Sequence, residues 1–121
     1  MRITPLLFTP LLLCLASIAI AASLEERASA AFGNIELRAD QEEAYQAIVA
    51  EYYKRQADMY KRSMRQSSGP DAPKLVRNRN RGISADTVKK MRKVLDPQQL
   101  EQFQYAIDLA DRSFLESVGA K

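Results

Sequence analysis

The chain has no histidine and no tryptophan, and its one cysteine, Cys14, lies in an apolar N-terminal run. Without imidazoles it lacks the commonest general base. With cysteine confined to that run, residues 22–121 also lack the usual activated thiol and the usual zinc, copper and nickel ligands. Carboxylates alone remain for acid–base chemistry, and no pair of them has the spacing of a catalytic site. The expectation is a protein that is not an enzyme and has no cofactor. Disulfides are excluded over the same span, so a fold of about 100 residues must rest on packing and hydrogen bonds alone. Neither glycine nor proline occurs between Ala39 and Ser67, which leaves nothing to interrupt a long helix there. No segment makes a convincing strand.

The N-terminus carries a targeting pattern. Arg2 supplies a positive charge, Leu6 to Ile20 form an apolar run broken by Thr9, Pro10 and Ser17, and Ala19-Ile20-Ala21 is a small-x-small cleavage pattern. Cleavage is expected after Ala21 or Ala22. A retained membrane anchor is the rival reading, for which the run is short and interrupted. Lipoprotein processing at Cys14 is disfavoured by the bulk of Leu13. Residues 1–21 are therefore expected to be a cleaved secretory signal and residues 22–121 a single exported, all-helical domain.

Charge is unevenly distributed. Residues 22–53 hold two basic and seven acidic side chains, residues 54–93 thirteen and three, and residues 94–121 two and five. A strongly basic middle lies between acidic flanks.

Four helices are expected. Leu24, Ala28, Ala31 and Phe32 recur at helical spacing before Gly33-Asn34 ends the first. The second runs from Ala39 to about Ser67, with Tyr45, Ile48, Val49, Tyr52, Tyr53, Met59 and Tyr60 on one broad arc and Glu43, Ala47, Lys54, Asp58, Lys61 and Arg65 opposite. An arc on the order of 150° exceeds the usual stripe of about 100°. It is either core throughout or covers a second surface as well. Ser67-Ser68-Gly69-Pro70 breaks the chain, and residues 67–82 read as a basic loop containing Arg77, Arg79 and Arg81. Ser84 then reads as an N-cap, with Ile83 and Val88 as a hydrophobic staple. The last helix runs from Pro97 to about Val118, with Leu100, Phe103, Ile107, Ala110 and Phe114 on its stripe and Gly119 at its end.

Two helix starts share an outline. Leu95-Asp96-Pro97-Gln98-Gln99 places Asp96 as N-cap, Pro97 at the first helical position and Gln99 where it completes a capping box, with Leu95 and Leu100 as a staple. Leu37-Arg38-Ala39-Asp40-Gln41 repeats the Leu-x-x-x-Gln frame with a poorer cap in Arg38. With the export signal, the long helix and the basic middle, these two starts resemble the LTxxQ-motif family of small periplasmic helical proteins, the Spy- and CpxP-like type. The resemblance spans the mature chain, although Asp96 replaces the usual Thr and Gln98 the usual Glu, and the copy at Leu37 departs further. It implies an elongated, bent helical hairpin that pairs into an antiparallel, cradle-like homodimer. It also implies ATP-independent binding of unfolded envelope proteins, or the damping of an envelope-stress sensor kinase. Metal binding in such relatives uses histidines, which are missing here. Asp108 and Asp111 offer at most a weak hard-cation pair and read more simply as an exposed helix face.

The basic middle admits three partners. Nucleic acid fits poorly with export and with the lack of an aromatic stacking platform. An anionic membrane surface is attracted by about 1 kcal/mol per exposed Lys or Arg. An unfolded client, or the periplasmic domain of a sensor kinase, would be steered by arginine and gripped by apolar groups. A solvated charged helix face explains part of the same pattern without any partner. The candidate client- or partner-binding residues are Tyr45, Ile48, Val49, Tyr52 and Tyr60 for grip, and Arg55, Arg62, Arg65, Arg77, Arg79 and Arg81 for steering. The expected function is that of a periplasmic chaperone or stress-response accessory. The alternatives are a regulator dedicated to one sensor kinase and a non-enzymatic envelope component that binds anionic lipid.

Overall fold

The computed structural model describes residues 22–67 and 69–121. The expected signal segment, residues 1–21, lies outside the described residues. Among those described, the chain is all-helical, with α1 Leu24–Gly33, α2 Ala39–Gln66, α3 Ala72–Met91 and α4 Pro97–Ser117. None of these helices is long and apolar enough to cross a membrane.

Local chemistry accounts for most of the boundaries. Ser23 caps α1, its Oγ accepting the Glu26 N–H at 3.2 Å. α4 opens with the full capping box: Asp96 Oδ1 accepts the Gln99 N–H at 2.9 Å, and Gln99 Oε1 accepts the Asp96 N–H at 3.0 Å. It closes with a Schellman turn. Gly119 takes a φ of +70°, and the Ala120 and Gly119 N–H groups reach the carbonyls of Leu115 and Glu116 at 2.8 and 3.3 Å. α2 runs 28 residues without a breaker, about 42 Å.

α2 and α3 form an antiparallel hairpin, with a turn at residues 69–71 leading into α3. Their buried positions recur every three or four residues, except for one seven-residue step from Tyr45 to Tyr52. They are Gln41, Tyr45, Tyr52, Gln56, Met59 and Ser63 on α2, and Ala72, Val76, Asn80, Ile83, Thr87 and Met91 on α3. α4 packs back along α3, and α1 lies antiparallel on α4, where Ala28, Ala106 and Ala110 let the two helices approach closely. α2 and α4 are held further apart and meet through large side chains, with Tyr45 edge-on to Phe103 at 6.1 Å and Phe32 wedged against Phe103 at 5.5 Å.

The basic loop expected over 67–82 is much shorter. Helix α3 already begins at Ala72 with Pro73 in its first turn, so Arg77, Arg79 and Arg81 lie on a helix. The alternation of arginine with Val76, Asn78 and Asn80 conceals a helical stripe, because Asn80 is one of its buried members. Ser84 is not a cap. Its Oγ lies 3.1 Å from the Asn80 carbonyl one turn back and gives its one proton to Asp111 on α4, and Ile83 is buried in mid-helix.

Candidate functional site

The two Leu-x-x-x-Gln starts meet in space. Gln41 Nε2 donates to Gln99 Oε1 at 2.8 Å, and Gln99 Nε2 donates to Gln41 Oε1 at 3.0 Å. Each amide also serves the opposite segment: Gln41 donates to the Val94 carbonyl at 3.0 Å, and Gln99 to the Glu36 carbonyl at 2.7 Å. Each accepts from its own helix start, Arg38 N–H to Gln41 at 2.9 Å and Asp96 N–H to Gln99 at 3.0 Å. The Arg38 side chain has no acceptor to complete the first box, and the Gln41 N–H goes to the Arg38 carbonyl at 3.0 Å instead. Leu95 is buried beside this clasp, and Leu37 packs at its edge. The repeated outline therefore holds the open end of the hairpin together, and its members are structural.

A polar layer crosses the middle of the core. Tyr52 donates to Asp111 Oδ1 at 2.5 Å, and Asn80 Nδ2 and Ser84 Oγ donate to the same oxygen at 3.1 and 2.7 Å. Gln56 Nε2 ties Tyr52 Oη to Asn80 Oδ1 at 2.8 and 2.9 Å. Burial raises the Asp111 pKa despite these three donors, and burial followed by the Asp111 charge raises that of Tyr52. Tyr45 donates to the Phe32 carbonyl at 2.7 Å, and burial pushes its pKa up to about 12. Tyr45 and Tyr52 are 2% and 1% exposed. As placed here they cannot touch a client, and this corrects their expected role as grip residues. Ile48, Val49 and Tyr60 are half-buried against the core, with Tyr60 edge-on to Phe114 at 6.4 Å. Asp108 and Asp111 form no joint cation pair: Asp108 binds Arg112 at 2.7 Å, while Asp111 turns inward. No cluster of metal-ligating side chains occurs among the described residues.

Three of the six expected steering arginines converge. Arg55 and Arg62 of α2 and Arg79 of α3 line a groove of about 610 Å³ with Asp58, Met59, Gly82, Ile83 and Asp86. Arg55 donates to Asp86 Oδ2 at 2.6 Å, and this hydrogen bond holds the Asp86 carboxyl below its ordinary range. Arg79 donates to Ser63 Oγ at 3.1 Å. The other three lie apart. Arg65 and Arg81 are exposed, and Arg77 reaches toward the Ala120 and Lys121 carbonyls at 3.5 and 3.4 Å. Among the described residues, Arg55 and Lys90 are the only two of the thirteen basic side chains over 54–93 that pair with carboxylates. Most of the positive charge is thus left un-neutralised.

Gly82, Asp58 and Asp86 complete the groove, and charge patterning did not single them out. Their signal is spacing: 55, 58, 59 and 62 on one helix and 79, 82, 83 and 86 on the next each share a face. That second face is legible only once α3 is known to start at Ala72. Gly82 is costly in a helix interior by about 1 kcal/mol relative to alanine. No close approach demands it, since a Cβ there would meet nothing within 4 Å. A second groove, about 690 Å³ between α1 and α4, contains Arg27, Glu101 and Tyr105 and none of the expected site residues.

The chain matches no family model, no curated protein and no solved structure.

Proposed function

We propose that this protein is an exported, ATP-independent chaperone or envelope-stress accessory of the LTxxQ type, which captures unfolded segments weakly and reversibly in the periplasm. The observation that carries the reading is the un-neutralised basic surface along α2 and α3, with three arginines gathered in one groove. Long-range attraction to that surface comes first. Contact with the exposed edges of Ile48, Val49 and Tyr60 and with exposed Met64 follows. The Gln41–Gln99 clasp supports the family resemblance, because it gives both motif glutamines a shared task. The reading is non-enzymatic, since residues 22–121 contain neither cysteine nor histidine.

The test is light scattering of two unrelated, chemically unfolded proteins at low and moderate salt, with an inert protein of similar size as control. Suppression of both aggregations, weakening with salt, is the expected result. No suppression of either would sink the general chaperone. Binding to one folded sensor domain would then favour a dedicated regulator, and pelleting with anionic vesicles a lipid-binding envelope component.

The same charge segregation supports an antiparallel homodimer, with the basic turn end of one hairpin beside the acidic flanks of its partner. Sedimentation should show a dimer that dissociates as salt is raised. A dimer indifferent to molar salt would refute the electrostatic pairing.

A further inference from the structure

The groove between α2 and α3 differs at its two ends. At one end Arg55 is neutralised by Asp86. At the other, Arg62 and Arg79 enter the same space from opposite helices, and among the described residues neither makes an ion pair. The Arg79 guanidinium is braced by Ser63, whose side chain is fully buried, so it is held at the groove. Two guanidiniums facing one space repel each other unless an anion lies between them. Beside them the floor is open, because Gly82, one turn along α3 from Arg79, contributes no side chain and a Cβ there would meet nothing within 4 Å. Met59 and Ile83 make the rest of the floor apolar, which strengthens any charge-assisted hydrogen bond formed above it.

We infer that this groove reads carboxylates, seating an Asp or Glu side chain of an extended acidic peptide segment between Arg62 and Arg79, above Gly82. The site rests on the client-binding reading and names the chemical class of segment that is captured. Three arginines and two aspartates leave the lining with a net charge of +1, which a monoanion balances. A dianionic phosphate would exceed it. The guanidinium fork suits the two oxygens of a carboxylate.

The test is fluorescence anisotropy of a short labelled acidic peptide titrated with the full protein, beside a counterpart in which every Asp and Glu is replaced by its amide. The acidic peptide should bind, and the amide form should bind at least about tenfold more weakly. The double variant Arg62→Gln/Arg79→Gln should weaken acidic-peptide binding by about tenfold to a hundredfold. The double variant Arg65→Gln/Arg81→Gln removes equal charge from the steering surface outside the groove and should weaken binding by only about threefold, through lost long-range attraction. Gly82→Leu keeps every charge while filling the floor, and should weaken binding as the groove double variant does, with circular dichroism checking that both stay folded. Equal weakening by the two arginine pairs would overturn the site in favour of diffuse attraction. Undiminished binding by folded Gly82→Leu would also overturn it. Displacement of the peptide by inorganic phosphate but not by acetate would replace the carboxylate with a phosphate group. If Gly82→Leu still suppresses aggregation fully, the groove fails and the chaperone reading stands. If the wild type binds the peptide in the groove yet suppresses no aggregation, the chaperone reading fails and the groove stands.

Discussion

Replacing Gln99 by alanine removes four hydrogen bonds at once: two shared with Gln41, one from the Asp96 N–H and one to the Glu36 carbonyl. The last two partners are exposed and can turn to water, so each bond is worth about 0.5 kcal/mol, whereas the two bonds to the 2% exposed Gln41 are worth about 1 kcal/mol each. Gln99→Ala should therefore cost about 3 kcal/mol. Gln41→Ala should cost about the same, because it also releases the Val94 carbonyl and the Arg38 N–H. The two variants share the bonds between the amides, so the double variant should cost about 4 kcal/mol, leaving a coupling near 2 kcal/mol. Urea unfolding followed by far-UV circular dichroism measures all four corners of this cycle. In thermal melts each single variant should fall by roughly 10–20 °C. Costs that add to within about 0.5 kcal/mol would refute the clasp as a coupled pair.

Three further outcomes are expected. Burial raises the Asp111 pKa above its ordinary 3.8, so the folded state holds that proton more tightly than the unfolded chain does. Stability from this residue then rises as pH falls through the raised value toward 3.8, and the wild type should gain on Asp111→Asn between about pH 7 and about pH 4; parallel urea midpoints would contradict this. Tyr52→Phe takes one donor from Asp111 and one acceptor from Gln56, and should cost about 1–3 kcal/mol in urea unfolding. Aggregation suppression per folded molecule should be unchanged, since Tyr52 is enclosed; a selective loss of suppression would return Tyr52 to the binding surface. Gly82→Ala adds a helix-favouring residue where nothing crowds it, and should stabilise by about 1 kcal/mol, read as a higher melting temperature. A lower one would mean that the site is more crowded than the structure has it.

Much of the architecture is legible in the sequence because its signals are local. Asp96 with Gln99, and Gly119, each fix a helix end through bonds within a few residues, and the structure places those ends where the motifs put them. The turn after Ser67 is equally local. The reading goes astray where the stripe contains polar residues. Asn80 and Ser84 look like loop and cap chemistry, but they are α3 residues whose side chains find Gln56 and Asp111 on other helices. The burial of Tyr45 and Tyr52 belongs to the same class: a helical wheel gives their arc but not which part of it α1 and α4 cover.

By itself the sequence determined that the chain is helical, where three of its four helices begin, that positive charge gathers at its middle, and that thiol and imidazole chemistry are absent from residues 22–121. These follow from hydrogen bonds, spacings and charges that neighbouring residues settle among themselves. Tertiary structure decided that the two motif glutamines bond to each other and that Asp111 is turned into the core. It also decided that three of six arginines, and not the tyrosines, share a groove. Those facts depend on which helix faces meet, and the meeting is set by packing among residues more than fifty positions apart, such as Gln41 with Gln99 and Tyr52 with Asp111.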